Sequence, residues 1–216
     1  MERQKARLAV GLVGFSAILG PLSVGQCAEP KPSEPGAPSW TFGTQKGGVT
    51  VFFRPKPDSK VYEVRGEAIL PLAAETLFAV LADIDAYAEI MPPTVISKRL
   101  AETDHGRSYY IEIDPPVVSR RYYCMDVAFF RPSSDEFVSQ WQMWPTGCSP
   151  RKNGLVPMTD NRGHWHLSSL GPQTTKVVFE AHLDPGGHLP SWIVNRATLG
   201  QVAQTFFSLH KAALKR

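Results

Sequence analysis

The feature that most constrains the fold is a long C-terminal segment in which apolar residues recur three and four positions apart. These positions hold Trp192, Ile193, Ala197, Leu199, Val202, Phe206, Leu209 and Ala213. This spacing predicts one long helix with a wide apolar face, for which Ser191 after Pro190 is the candidate N-cap. Such a helix cannot bury that face by itself, so the chain must supply a broad apolar partner for it.

The partner is predicted from strict alternation of apolar and polar residues between positions 95 and 184. Alternation with a period of two is typical of half-buried antiparallel strands. The apolar faces of these runs hold Tyr109, Ile111, Ile113, Tyr123, Met125, Val127, Phe129, Trp141, Met143, Trp165, Phe179 and Ala181. With further strands at Val49–Arg54 and 61–70 and an amphipathic helix at 73–90, the pattern predicts an α+β fold. In this fold a curved antiparallel β-sheet wraps around a long C-terminal α-helix.

The N-terminal region is not expected to belong to this fold. Residues 1–7 carry three basic side chains and one acidic one, and residues 8–24 contain no charge. This pattern predicts a signal peptide at 1–27 and an exported, periplasmic protein. A membrane anchor is disfavoured because a span needs about 20 apolar residues, and lipid attachment at Cys27 is a further alternative. A proline-rich tether (28–39) then leads to one domain (40–216).

The charge balance and the cysteines limit the possible functions. The chain has 23 Lys and Arg against 20 Asp and Glu, and this near-balance argues against a dedicated nucleic-acid binder. As a separate expectation, the protein is a monomer. After export, Cys124 and Cys148 would meet an oxidising compartment. A disulfide between them and a pair of separate thiols both remain open, because spacing alone does not fix the geometry.

The predicted inner face is rich in aromatic and methionine side chains, which suit either an adaptable ligand cavity or a solid core. Four polar residues are candidates to reach a ligand there, namely Arg121, Tyr123, Asn195 and Thr198. For Arg121, we expect a structural ion pair with a carboxylate, and contact with a ligand is the alternative. The histidines His164, His166 and His182 fit a solvated sheet face, so no metal and no cofactor is predicted.

One segment resembles a known family. Residues 184–195 (DPGGHLPSWIVN) are similar to the segment that leads into the C-terminal helix of the START domain, the steroidogenic-acute-regulatory-protein-related lipid-transfer domain. Residues 116–123 (PVVSRRYY) and the Gly163-His164-Trp165 sequence resemble two of its strands. Tyr122 departs from the pattern, since the family usually has aspartate there.

The resemblance implies a helix-grip fold with an internal apolar cavity for one lipid or sterol. It also implies a lid formed by the C-terminal helix and a loop between late strands. From the residues themselves we expect the hinge of this lid at Gly186, Gly187, Pro190 and Trp192, and transient membrane contact through Trp192. A simple tight turn at the glycines and packing of Trp192 on the sheet are the alternatives. The expected ligand-binding residues are Tyr123, Met125, Phe129, Trp141, Met143, Trp165, Phe179, Ala181, Asn195, Thr198, Leu199, Val202 and Phe206, with Arg121 as the polar contact. The predicted function is therefore lipid binding and transport without bond chemistry. The alternative is a cyclase or aromatase, which the wider helix-grip superfamily includes.

Overall fold

A computed structural model describes residues 38–103, 106–116, 118–148 and 154–216. The predicted signal peptide and almost all of the tether lie outside these residues. The strands are β1 (Thr41–Lys46), β2 (Val49–Arg54), β3 (Glu63–Leu70), β4 (Thr94–Thr103), β5 (Gly106–Ile113), β6 (Arg121–Ser133), β7 (Glu136–Met143), β8 (Val156–Pro157), β9 (Asp160–Gly171) and β10 (Thr174–Asp184). The helices are α1 (Ala74–Ala82), a 3-10 turn (Ile84–Ala86), α2 (Tyr87–Ile90) and α3 (Ser191–Ala213).

Nine of the strands form one continuous antiparallel sheet in the order β1-β2-β3-β10-β9-β7-β6-β5-β4, and β8 pairs with β6 in parallel. The sheet has two parts, β1–β3 and β4–β10, and within each part the strands pair with neighbours that are close in sequence. The two parts are joined where β3 pairs with β10, with Gly66 opposite Phe179. The predicted strands and their inner faces are thereby confirmed.

Helix α3 lies against one half of the concave face. It packs chiefly on β1, β2, β3 and α1. The close approach depends on Gly66, because a Cβ atom there would lie 2.6 Å from the Phe206 ring and 2.7 Å from Val202. The architecture is the predicted helix-grip fold. In the described part of the chain, no helix is long and apolar enough to span a membrane.

Two local predictions need correction. The single helix expected at 73–90 is interrupted at Asp83, whose φ of −91° and ψ of 62° leave the helical region, and it resumes as a 3-10 turn and α2. Ser191 was a candidate N-cap for the C-terminal helix. In the structure Pro190 occupies the cap position and Ser191 is the first helical residue, without a side-chain cap.

The structure joins Cys124 and Cys148 in a disulfide, with their Cα atoms 5.3 Å apart. Cys124 lies in β6 and is buried, and Cys148 lies in the segment that follows β7. The bridge ties that segment to the sheet near the start of β6. This outcome resolves the two alternatives that the sequence leaves open.

Candidate functional site

Within the described residues, the interior contains two adjoining apolar clusters. The larger one lies between α1, α3 and the part of the sheet formed by β2, β3, β10 and β9. The smaller one lies on the inner face of β5 and β6, around Tyr109, Ile111, Met125 and Val127, where Ile84 covers it. Tyr87 and Trp141 contact both clusters. These two side chains therefore mark the boundary between the clusters.

A block of the predicted cavity wall is in fact solid core. The rings of Trp165 and Phe179 lie 4.6 Å apart between centroids, and Trp165 also contacts Phe206 at 5.2 Å. Trp141 stacks on Phe179 at 5.7 Å. Ala181 and Val202 are buried in the same cluster. These residues pack against one another, contrary to the prediction that they line an open cavity.

Polar groups are concentrated at the boundary between the two clusters. Asn161, which is buried, accepts a hydrogen bond from Trp141 Nε1 at 2.7 Å. Its side chain also bonds to Tyr123. Burial raises the pKa of Tyr123 and of Tyr87 well above the ordinary tyrosine value, so both phenols are neutral at physiological pH. Sequence reasoning missed Asn161, although it alternates with Gly163 and Trp165 on the inner face of β9.

A cavity of about 320 Å³ opens at the far end of β6, between α1 and the β6–β7 hairpin. Its apolar wall consists of Phe78, Phe129, Phe130, Phe137 and Ala79. Arg131 and Glu75 lie at its rim, 3.8 Å apart and both exposed to solvent. Phe129 was among the predicted ligand-binding residues, and the other three phenylalanines were not. The cavity continues the inner face of β6, because Phe129 also packs on the smaller cluster.

Arg121 lies at the opposite end of β6, on the same face as Tyr123 and Met125. Its side chain is buried, with 3% of the residue exposed. Nε donates to the carbonyl of Pro185 at 3.4 Å, and Nη1 donates to the carbonyl of Ser119. Among the described residues, no carboxylate forms an ion pair with it, so the expected structural ion pair is absent there. Burial lowers the pKa of Arg121 below its ordinary value.

The segment before α3 is a tight turn that depends on two glycines. Gly186 and Gly187 adopt φ values of +67° and +75°, which favour glycine. A Cβ atom at Gly186 would lie 2.7 Å from the Pro157 carbonyl oxygen, so the turn sits tightly on β8. Pro190 then leads into the helix, and the Trp192 side chain projects outward with 68% of the residue exposed.

The predicted ligand contacts on α3 have other partners. Asn195 accepts a hydrogen bond from the Tyr62 backbone N–H at 2.9 Å and donates to the Lys60 carbonyl, so its amide anchors the helix to the loop before β3. Thr198 donates to the Val194 carbonyl one turn earlier. Leu199 faces Gly43 of β1. Met143 is half-buried at the end of β7, opposite Met125.

The outer face of the sheet carries a separate polar network. His182 is buried there, not solvated as predicted, because Ser59 from the β2–β3 loop covers it. Its Nδ1 donates to Asp160 at 2.8 Å and its Nε2 lies 3.1 Å from Ser59 Oγ. The adjoining cleft of about 110 Å³ is lined by polar residues that include Arg54, Glu63 and Arg162. This connectivity satisfies both nitrogens of a buried histidine, as burial requires.

No group of three or more His, Cys, Asp or Glu side chains is arranged to hold a metal ion within the part of the chain that the structure describes. Burial lowers the pKa of His164, which keeps this imidazole neutral at physiological pH. The candidate site is the phenylalanine cavity together with the row of inward-facing β6 side chains that runs from Phe129 to Arg121. Met125 and Val127 of this row are packed in the smaller cluster.

Comparison with known families bears directly on this site. The profile of the family described as "Polyketide cyclase / dehydrase and lipid transport" matches residues 70–205, which is more than half of the chain. The chain belongs to this family. The matched span runs from the end of β3 into α3 and so includes both regions of the candidate site.

Some of the proteins that are similar to this chain carry the START or STAR-related name. An uncharacterized protein of Pseudomonas aeruginosa is 24% identical over 181 residues, which are 83% of this chain and 89% of that protein. Mouse START domain-containing protein 10 is 23% identical over 182 residues, which are 82% of this chain but only 62% of that protein. A crystal structure of a STAR-related lipid transfer protein from Xanthomonas axonopodis has a TM-score of 0.72 at 26% identity, over 81% of this chain and 98% of that chain. The START resemblance is thereby confirmed.

Enzymes share the fold too. The structure of an aromatase/cyclase from Streptomyces has a TM-score of 0.52 at 17% identity, over 71% of this chain and 91% of that one. At this identity the likeness concerns the fold alone. Family membership therefore leaves lipid transport and cyclase chemistry as two functional classes, and the side chains of this chain have to distinguish them.

Proposed function

We propose that this protein binds one lipid or sterol-like molecule on the concave face of its sheet. The protein is exported and carries this molecule in the periplasm, without bond chemistry. The observation that supports this most strongly is the phenylalanine cavity. Its volume of about 320 Å³ lies within the range of small-molecule sites. Four of its seven lining residues are phenylalanines, and one of them, Phe129, packs on the smaller cluster that includes Met125.

Binding of an apolar molecule in the phenylalanine cavity would lower the free-energy cost of moving that molecule through water. An apolar molecule that leaves a membrane exposes its hydrocarbon to water, at a cost of about 25 cal/mol for each Å². A carrier lowers this barrier by covering the hydrocarbon during transfer. The four phenylalanines of the cavity offer such cover, and their ring-to-ring contacts, such as Phe78 with Phe129 at 5.9 Å, can rearrange around a ligand.

The lid supports loading at a membrane. The turn before α3 depends on the positive φ values of Gly186 and Gly187, and Trp192 is exposed directly after it. Indole is favoured at membrane–water interfaces. We therefore propose that Trp192 touches the bilayer while the start of α3 moves away from β8.

Export is part of the proposal. The charged start and uncharged stretch of residues 1–27 support cleavage and transfer to the periplasm. The disulfide between Cys124 and Cys148 is consistent with an oxidising compartment. The proline-rich tether would then precede the mature domain.

A cyclase would need a general acid or base that faces the ligand with a pKa near the working pH. Tyr87, Tyr109 and Tyr123 lie in or beside the smaller cluster, and burial raises the pKa of each. Glu75 lies at the rim of the phenylalanine cavity, exposed to solvent and beside Arg131. The Ser59–His182–Asp160 chain lies on the outer face, on the other side of the sheet. These positions favour binding over catalysis.

Native mass spectrometry tests the proposal. The full chain is expressed with its own signal, the exported form is purified without added lipid, and bound molecules are identified after organic extraction. We expect one lipid-mass adduct per protein molecule. In Phe129→Asp the adduct should be lost, because a carboxylate enters the cavity wall, whereas Phe42→Asp on exposed β1 should retain it. A lipid-free protein that also resists loading with fatty acids, sterols and phospholipids would refute the carrier function.

A further inference from the structure

Two consecutive arginines at the start of β6 have opposite electrostatic surroundings. Arg120 points outward, where its guanidinium lies 3.4 Å from Asp114 and 3.7 Å from Glu112. Arg121 points inward and is 97% buried, yet its hydrogen-bond partners are two backbone carbonyls. In the described ranges, no carboxylate oxygen lies within ion-pair distance of it. The nearby Asp184 carboxylate instead accepts a hydrogen bond from the Gly186 backbone N–H at 3.0 Å.

A buried cation without a counter-charge is unfavourable, because carbonyl groups replace only part of the water that it loses. Arginine nevertheless remains protonated at every physiological pH. Its lowered pKa reports the same cost of burial. A negatively charged ligand group would remove this cost, and the planar guanidinium is well suited to bind carboxylate or phosphate oxygens in pairs.

The position of Arg121 indicates what such a ligand looks like. Side chains at alternate positions of a strand share one face, so Arg121, Tyr123, Met125, Val127 and Phe129 form one row. From Arg121 to Phe129 this row extends for about 26 Å at the usual rise of a strand. It begins at a cation, passes the polar Tyr123, and ends in the phenylalanine cavity. A long apolar chain with one anionic end matches this gradient.

We propose that the ligand is an amphiphile whose anionic head group, a carboxylate or phosphate, binds Arg121 while its apolar chain extends along β6 toward the phenylalanine cavity. This inference rests on the proposed lipid-binding function and names the class of lipid. It also connects the ligand to the lid. The guanidinium already contacts the Pro185 carbonyl, and its Nη2 lies 3.7 Å from where a Cβ of Gly187 would be. A head group at Arg121 therefore reaches the turn on which α3 swings.

The test compares ligands that differ only at the head. Delipidated mature protein is titrated at pH 8.5 with oleate, oleyl alcohol and oleoyl lysophosphatidate, and each dissociation constant is measured by calorimetry and native mass spectrometry. We expect both anions to bind about tenfold to hundredfold more tightly than the alcohol, as charge-assisted hydrogen bonds do. Inorganic phosphate without an acyl chain, added at millimolar concentration, should not displace oleate.

The variants assign the preference to one side chain. Arg121→Gln should bind the alcohol as the unmodified protein does and should lose the preference for the anions. Arg120→Gln removes the neighbouring exposed charge and should keep the preference. Circular dichroism checks folding, and Arg121→Lys serves as a second variant that keeps the charge and should retain part of the preference.

The outcomes separate the two proposals. Equal affinity for oleate and oleyl alcohol in the unmodified protein would overturn the head-group assignment and leave lipid binding intact. The same conclusion follows if Arg121→Gln keeps the preference. Displacement of oleate by inorganic phosphate alone would show an anion site unrelated to lipid. Failure of every ligand to bind would overturn the carrier function itself.

Discussion

The contact between α3 and the sheet makes a quantitative prediction at Gly66. In Gly66→Ala the new methyl group would lie 2.6 Å from the Phe206 ring and 2.7 Å from Val202 Cγ1. Carbon atoms in contact normally stay about 3.5–4.0 Å apart, so α3 or β3 must move by about 1 Å. Phe206 and Val202 are fully buried, and neither can turn away into solvent. Overpacking of this kind costs about 1–3 kcal/mol.

The free energy of unfolding of Gly66→Ala should therefore fall by about 1–3 kcal/mol. For a domain of this size, the melting temperature should fall by about 2–4 °C for each kcal/mol. The assay is reversible urea unfolding followed by tryptophan fluorescence, since Trp165 packs on Phe206 and reports this contact. The midpoint should decrease while the slope with denaturant stays constant.

Gly200→Ala is the matched control, because Gly200 lies on the exposed side of α3 with no heavy atom within 4 Å of an added Cβ. This substitution should raise the stability by about 0.5–1 kcal/mol, since alanine favours a helix. If Gly66→Ala proves as stable as the unmodified protein, then α3 is not seated on β3 as closely as the structure indicates. The proposed close contact of Gly66 with Phe206 and Val202 would then be refuted.

Three further predictions concern other parts of the molecule. Cys148→Ser should lower the stability of the oxidised protein by about 3 kcal/mol, as measured by urea unfolding, and adding a reductant should erase the difference; an unchanged midpoint would contradict a stabilising bridge. Burial alone would raise the pKa of Asp160, but hydrogen bonds from His182 and Arg162 outweigh it and lower the pKa to about 2. Because this value is below that of the unfolded chain, Asp160 stabilises the fold above about pH 4 by an amount on the order of 2 kcal/mol, and the contribution is lost as the pH falls toward 2. In Asp160→Asn the free energy of unfolding should fall less steeply as the pH decreases from about 4 toward 2. An unchanged pH dependence would contradict this role of Asp160. Trp192→Ala should leave stability within about 0.5 kcal/mol but slow lipid transfer between fluorescent vesicles, whereas Phe42→Ala, also exposed, should not; equal rates would remove Trp192 from the membrane contact.

The sheet and its main helix were predictable because apolar residues recur along each element with a regular local spacing. Val177, Phe179 and Ala181 alternate along β10 with Lys176 and Glu180, and no distant residue is needed to see which face is buried. The interruption at Asp83 was not predictable in this way. The apolar spacing continues through that position, and the break depends on where Ile84 meets the distant strands β5 and β6.

The candidate site was only partly predictable, since its properties depend on which strands meet. Phe129 follows from the alternation of β6, but Phe78 reads from sequence as an ordinary helix residue until α1 lies beside the β6–β7 hairpin. His182 reads as solvated because Ser59, which covers it, is 123 positions away in the sequence. The charge of Arg121 is plain in the sequence, whereas its lack of an acidic partner depends on the whole fold.

The pairing of β3 with β10 has a consequence for how the chain folds. Arg65 and Glu180, which form an ion pair across this join, are 115 positions apart in sequence. Hairpins on either side can form early from neighbouring residues, but the middle of the sheet closes only after β10 has been synthesised, and such distant pairings make folding slow. Until then β3 keeps an open edge and α3, the last element, has no complete surface to cover. The complete tertiary structure, including the concave face that α3 covers, therefore forms only after the C-terminal part of the chain is available.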